Sequence, residues 1–138
     1  LLSQVPLFRE AGVAFHQEVA RYLNIHIYMP GDLIVRKGDH GDSMFFISKG
    51  SVRILDGSGQ DSLAVLGEGS FFGETSLLKE QPRNATVYAT GYCNIYSLDK
   101  IRFDRLLDKF PQFKKIIEQT SAEREARSSQ HQSTDSQD

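Results

Sequence analysis

Gly67-Glu68-Gly69-Ser70-Phe71-Phe72-Gly73-Glu74-Thr75-Ser76-Leu77-Leu78, continued by Gln81-Pro82-Arg83-Asn84-Ala85-Thr86-Val87, does not read as ordinary strand and turn. A glycine-rich entry leads into a helix of one or two turns beginning near Gly73, and one arginine stands at the start of the strand that follows. The first turn of a helix presents unpaired backbone N–H groups and a partial positive charge. A glycine there lets a ligand approach the backbone closely, and the two together make an anion site. Arg83 adds a fixed fork of donors suited to phosphate. Glu74, at the same helix start, cannot bind phosphate but can accept hydrogen bonds from a sugar hydroxyl. A ligand carrying one phosphate and a neighbouring ribose hydroxyl satisfies both. Each charge also has a purely structural reading, in which Glu74 complements the helix dipole and Arg83 pairs with Glu74.

On either side of this stretch the texture is that of short strands. The runs are Ile25–Tyr28, Leu33–Val35, Met44–Ile47, Val52–Leu55, Leu63–Leu66, Ala85–Tyr88 and Asn94–Leu98. Turn signals punctuate them at Pro30-Gly31-Asp32, Gly38-Asp39-His40-Gly41-Asp42, Lys49-Gly50-Ser51 and Asp56-Gly57-Ser58-Gly59. Many short strands at this spacing predict an antiparallel sandwich or barrel.

Helical periodicity brackets the strands. Val13 to Leu23 places Val13, His16 in part, Val19, Ala20 and Leu23 on one buried face, and Val5-Pro6-Leu7-Phe8 before it reads as an apolar knuckle. After the strands, Ile101, Leu106, Leu107 and Phe110, flanked by Phe103, line one face of a helix with Asp99 as its N-cap. Pro111 ends or bends that helix at Phe110. A second helix follows with Phe113, Ile116, Ile117 and Thr120 on one side and the charged run Glu123-Arg124-Glu125-Ala126-Arg127. Ser128 to Asp138 holds no apolar residue and is expected to be disordered. The expected division is helical over 1–24, strands over 25–99, helices over 99–127 and a tail over 128–138.

Composition narrows the function classes. The 138 residues fit one domain, and the net charge of −2 provides no basic field for nucleic acid. The single cysteine, Cys93, lies in an apolar run and reads as a small buried hydrophobe. No run approaches the about 18 apolar residues of a membrane-spanning helix, and no signal peptide is evident, so no direct membrane insertion is expected. The opening Leu1-Leu2-Ser3 lacks a methionine, as expected for a piece of a longer protein. His16, His26, His40 and His131 fall in a helix, a strand, a turn and the tail and form no metal-ligand pattern. No activated nucleophile pair stands out either, so neither an enzyme nor a metal or other cofactor is expected.

Taken in order, Phe72-Gly73-Glu74-x-x-Leu77-Leu78 followed by Pro82-Arg83-x-Ala85-Thr86-Val87 resembles the phosphate-binding cassette of cyclic-nucleotide-binding domains. Pro30-Gly31-Asp32, Gly38-Asp39-x-Gly41-Asp42 and Met44-Phe45-Phe46-Ile47-x-x-Gly50-x-Val52 look like the early strands and turns of that family, and the likeness runs from Val5 to Arg127. The resemblance implies an α+β fold: an antiparallel, jelly-roll-like β-roll with N-terminal helices, a short cassette helix and two C-terminal helices. It implies cAMP or cGMP as ligand. Arg83 would bind the cyclic phosphate, Glu74 would accept from the ribose 2′-hydroxyl, and the amides of Gly73, Glu74 and Thr75 would line the phosphate side. Val65, Leu66, Phe72 and Val87 would contact base or sugar, and Asn84 and Ala85, next to Arg83, would also contact the ligand. Asn84 departs from the threonine, serine or alanine common after the arginine, which leaves the choice between cAMP and cGMP open. Arg124 falls where the hyperpolarisation-activated channel branch has a base-capping arginine; its other reading is a solvated charge within its own helix. Gly91 to Leu98, Phe103 to Pro111 and Pro6-Leu7-Phe8 look like the channel branch, implying a tetrameric potassium or cation channel host with this module on the cytoplasmic side. A kinase regulatory domain, or a fold retained for protein interaction, are the alternatives.

Overall fold

The computed structural model describes residue 9, residues 11–55 and residues 64–136, with side chains described as far as residue 126. The Val5–Phe8 knuckle, the 56–59 turn and the Leu63 strand start lie outside the described residues. Helix α1 (Val13–Val19) leads into eight strands: β1 (Asn24–Tyr28), β2 (Leu33–Val35), β3 (Ser43–Lys49), β4 (Val52–Leu55), β5 (Ala64–Leu66), β6 (Phe71–Phe72), β7 (Thr86–Ala89) and β8 (Cys93–Asp99). Helix α2 (Glu74–Lys79) is set between β6 and β7, and α3 (Lys100–Lys109) and α4 (Pro111–Ser136) follow β8.

The strands form two four-stranded antiparallel sheets, β1-β8-β3-β6 and β2-β7-β4-β5. The β3 strand explains why its sequence is a continuous apolar run. Side chains alternate across a strand, and both faces of this one are covered. Phe45 and Ile47 point into the core between the sheets with Val52, Phe72, Val87, Cys93 and Ile95. Met44 and Phe46 point the other way, into a second core built with Phe15, Leu98, Phe103, Leu106, Phe113 and Ile117 of the helices and β8. Cys93 is buried, and its thiol donates to the Ser51 carbonyl at 3.2 Å.

The helix boundaries follow local chemistry. The Asp99 carboxylate accepts from the Arg102 amide at 2.9 Å and caps α3. Phe110, at φ −123 and ψ 94, ends α3 in an extended conformation. That is the region preferred before proline, and Pro111 opens α4, where a missing N–H costs nothing. Phe15 of α1 is wedged at this junction, 5.2 Å edge-on from the Phe110 ring and 5.0 Å from Phe113, and Lys109 is ion-paired with Glu18. Two boundaries differ from expectation. Helix α1 ends at Val19 and Leu23 packs from the turn after it, and α4 continues through 128–136, where composition pointed to disorder. Once a packed segment has supplied the helix nucleus, each added polar residue needs little to extend it.

Candidate functional site

The site is built where α2 begins. Gly73 is its N-cap in the left-handed region, at φ 85 and ψ 0. A Cβ there would lie 2.8 Å from Arg83 Nη1 and 3.3 Å from the Ser43 carbonyl oxygen, so both the turn and the space require glycine. No side chain caps the first amides of α2. Glu74 and Thr75 of the first turn and Arg83 are all buried. Arg83 stands just ahead of β7. Its Nη1 donates to the Gly73 carbonyl at 3.1 Å, and its guanidinium lies 5.5 Å from the centre of the Phe45 ring. Burial pulls the Arg83 pKa down from its ordinary value, opposed by the charges of Asp42 and Glu74. An arginine stays protonated through such a shift, so the site holds a desolvated fixed cation.

Glu74 is ion-paired with Arg124 of α4, not with Arg83. Its other carboxylate oxygen accepts from the Thr75 hydroxyl at 2.9 Å. Thr75 Oγ1 and Ser121 Oγ share a hydrogen bond at 3.1 Å, and Lys79 is ion-paired with Glu125. Arg124 also donates to the Phe71 carbonyl at 2.6 Å and sits 5.1 Å over the Phe71 ring. One turn of α4, Ser121 to Glu125, is therefore laid against the whole length of α2.

Of the residues singled out from sequence, Gly73, Glu74, Thr75, Arg83 and Arg124 come together here. Asn84 is exposed beside Arg83, and Ala85 is half-buried where the chain enters β7. Phe72 and Val87 belong to the core between the sheets, with Leu66 packed against it, and Val65 is exposed on β5. Arg124 reaches the site, where its Nη1 is held by Glu74, its Nη2 by the Phe71 carbonyl and one face of its guanidinium by the Phe71 ring. Phe71 and Ser121 were not legible as site residues: one supplies a backbone carbonyl and a ring, the other a single hydroxyl within a polar helix face. Among the described residues, no three His, Cys, Asp or Glu side chains are placed to hold a metal ion, and no helix is long and apolar enough to cross a membrane.

This geometry has relatives. The profile of the cyclic nucleotide-binding domain family matches residues 25–110. The human potassium/sodium hyperpolarization-activated cyclic nucleotide-gated channel 3 is 36% identical over 124 residues, which are 90% of this chain and 16% of that channel. Among solved structures, cAMP-bound PfPKA-R superposes with a TM-score of 0.82 at 27% identity, over 91% of this chain and 43% of that one. The Catabolite Activator Protein of Thermus thermophilus gives 0.81 at 27% identity, over 95% and 63%. The chain thus spans about a sixth of the channel relative it matches.

Proposed function

Because the chain belongs to the cyclic nucleotide-binding domain family, we propose that it captures cAMP or cGMP at the start of α2 and works as the sensor of a larger protein. The observation that carries this reading is the buried, unlike pair Arg83 and Glu74, set on one helix start and each turned to a different partner. A lone anion would be repelled by Glu74, and a neutral sugar would leave Arg83 with only the more distant charges of Asp42 and Glu74. A cyclic nucleotide meets both: the phosphate goes to Arg83 and the first amides of α2, and the ribose 2′-hydroxyl to Glu74. A carboxylate has about four acceptor positions, so Glu74 can serve the ribose while holding Arg124 and Thr75.

Binding biases a two-state element. The mobile part in this reading is α4, which meets the cassette through Ser121, Arg124 and Glu125, with Arg124 as the residue nearest the base. The junction Phe110–Pro111 is its hinge. The host is a tetrameric potassium or cation channel with the module on the cytoplasmic side; the 36% identity to a hyperpolarization-activated channel supports this. The likeness to PfPKA-R keeps a kinase regulatory domain as a second reading.

The hydroxyl contact is tested with 2′-deoxy-cAMP. One hydrogen bond to a charged group contributes about 1.5–3 kcal/mol, so the deoxy analogue should bind roughly ten- to a hundredfold more weakly than cAMP. In Glu74→Ala, cAMP should weaken by a similar factor and the deoxy analogue should lose nothing further. Equal discrimination by both proteins would place the ribose away from Glu74.

A further inference from the structure

The loop between β2 and β3 closes on Arg83 from two sides. Its Gly38 amide donates to the Arg83 carbonyl, and the Arg83 amide donates to the Asp39 carbonyl, both at 2.9 Å. At the loop's end the Lys100 amide, at the start of α3, donates to the Asp42 carbonyl at 2.9 Å. Between these bonds lies Gly41, which is buried. Unlike Gly38 at φ 92, it is not held at a positive φ, so a left-handed backbone is not what calls for glycine at Gly41. What excludes a side chain there is space. A Cβ on Gly41 would lie 2.5 Å from Ser76 Cβ, 2.8 Å from Ser76 Oγ and 3.0 Å from Arg83 Nε. Ser76 belongs to α2, whose first turn forms the anion site, and Nε is the guanidinium atom nearest the arginine stem. A methyl at this point therefore presses on both halves of the phosphate site at once.

We propose that Gly41 is a positioning residue for Arg83. Its bare Cα lets the loop seat against α2 and Arg83 together, which holds the guanidinium at the Gly73 carbonyl. The assignment rests on the reading that Arg83 takes the cyclic phosphate. It adds a residue outside the cassette that sets how well Arg83 does so.

The test is Gly41→Ala, alone and combined with Ser76→Gly, which removes both of the closest clashing atoms. Two readouts are needed: cAMP affinity by competition with a fluorescent cyclic nucleotide, and the Nε–Hε signal of Arg83 by 15N NMR without nucleotide, assigned by its loss in Arg83→Lys. Gly41→Ala should weaken cAMP by about tenfold or more and shift or broaden the Arg83 signal. Adding Ser76→Gly should return affinity to within about threefold of Ser76→Gly alone and restore the signal. Gly41→Ala binding within twofold of wild type with an unchanged Arg83 signal would overturn the proposal. So would a double variant that stays impaired, or one that does not fold, because the obstruction would then not be at Ser76. If the wild-type chain bound no cyclic nucleotide, the binding reading would fall while the Arg83 signal still decided the role of Gly41.

Discussion

Arg83→Ala should weaken cyclic nucleotide binding by roughly two to three and a half decades while leaving the fold intact. Removing one member of a desolvated charge pair costs about 3–5 kcal/mol, and each decade of affinity is about 1.4 kcal/mol. Arg83 suits that range because it is buried before any ligand charge reaches it. The compensation it has within the chain is modest: a hydrogen bond to the Gly73 carbonyl, a ring contact with Phe45 and the more distant charges of Asp42 and Glu74. Stability should change little, since alanine also removes the cost of burying the cation. Competition binding and a thermal melt on the same samples separate the two effects. A loss below tenfold would mean that the α2 amides hold the phosphate unaided or that the nucleotide lies elsewhere.

The second large effect is on stability and concerns the hinge. Phe113→Ala should destabilise the chain by about 3–5 kcal/mol, the usual cost of emptying a fully buried aromatic position. Phe113 has no exposed surface and joins three helices: it belongs to the first turn of α4, lies 5.0 Å from Phe15 of α1 and 6.0 Å from Phe103 of α3. Small domains are stable by only about 5–15 kcal/mol, so the urea midpoint should fall steeply with the m-value little changed. A loss below about 1 kcal/mol would show that α4 is not seated through this ring, and the hinge at Phe110–Pro111 would have to be abandoned.

How far the sequence reached is clearest at particular residues. Asp99 and Pro111 were readable because capping and proline stereochemistry are local, and the structure places an N-cap and a helix start at them. The strand runs were readable because apolar blocks and glycine turns alternate. Strand β6 escaped: two residues, Phe71 and Phe72, carry no period, and only their pairing with Phe46 and Phe45 makes them a strand. In the site, the order Gly73, Glu74, Arg83 announced its chemistry within one short stretch. The Glu74–Arg124 pair joins residues fifty positions apart, and the fit of Gly41 against Ser76 and Arg83 depends on how a distant loop packs. Neither leaves a local trace. The turn Gly38-Asp39-His40-Gly41-Asp42 was visible as a turn, whereas its contact with Arg83 was not.

Capture of a cyclic nucleotide at Arg83 and Glu74 is the function proposed for this chain. Isothermal titration with cAMP and, separately, cGMP tests it most directly. Saturable heat at one nucleotide per chain is expected, with a micromolar or tighter Kd for at least one of them; the ratio between the two reads what Asn84 does to selectivity. No heat with either nucleotide, together with no displacement of a fluorescent analogue, would contradict it.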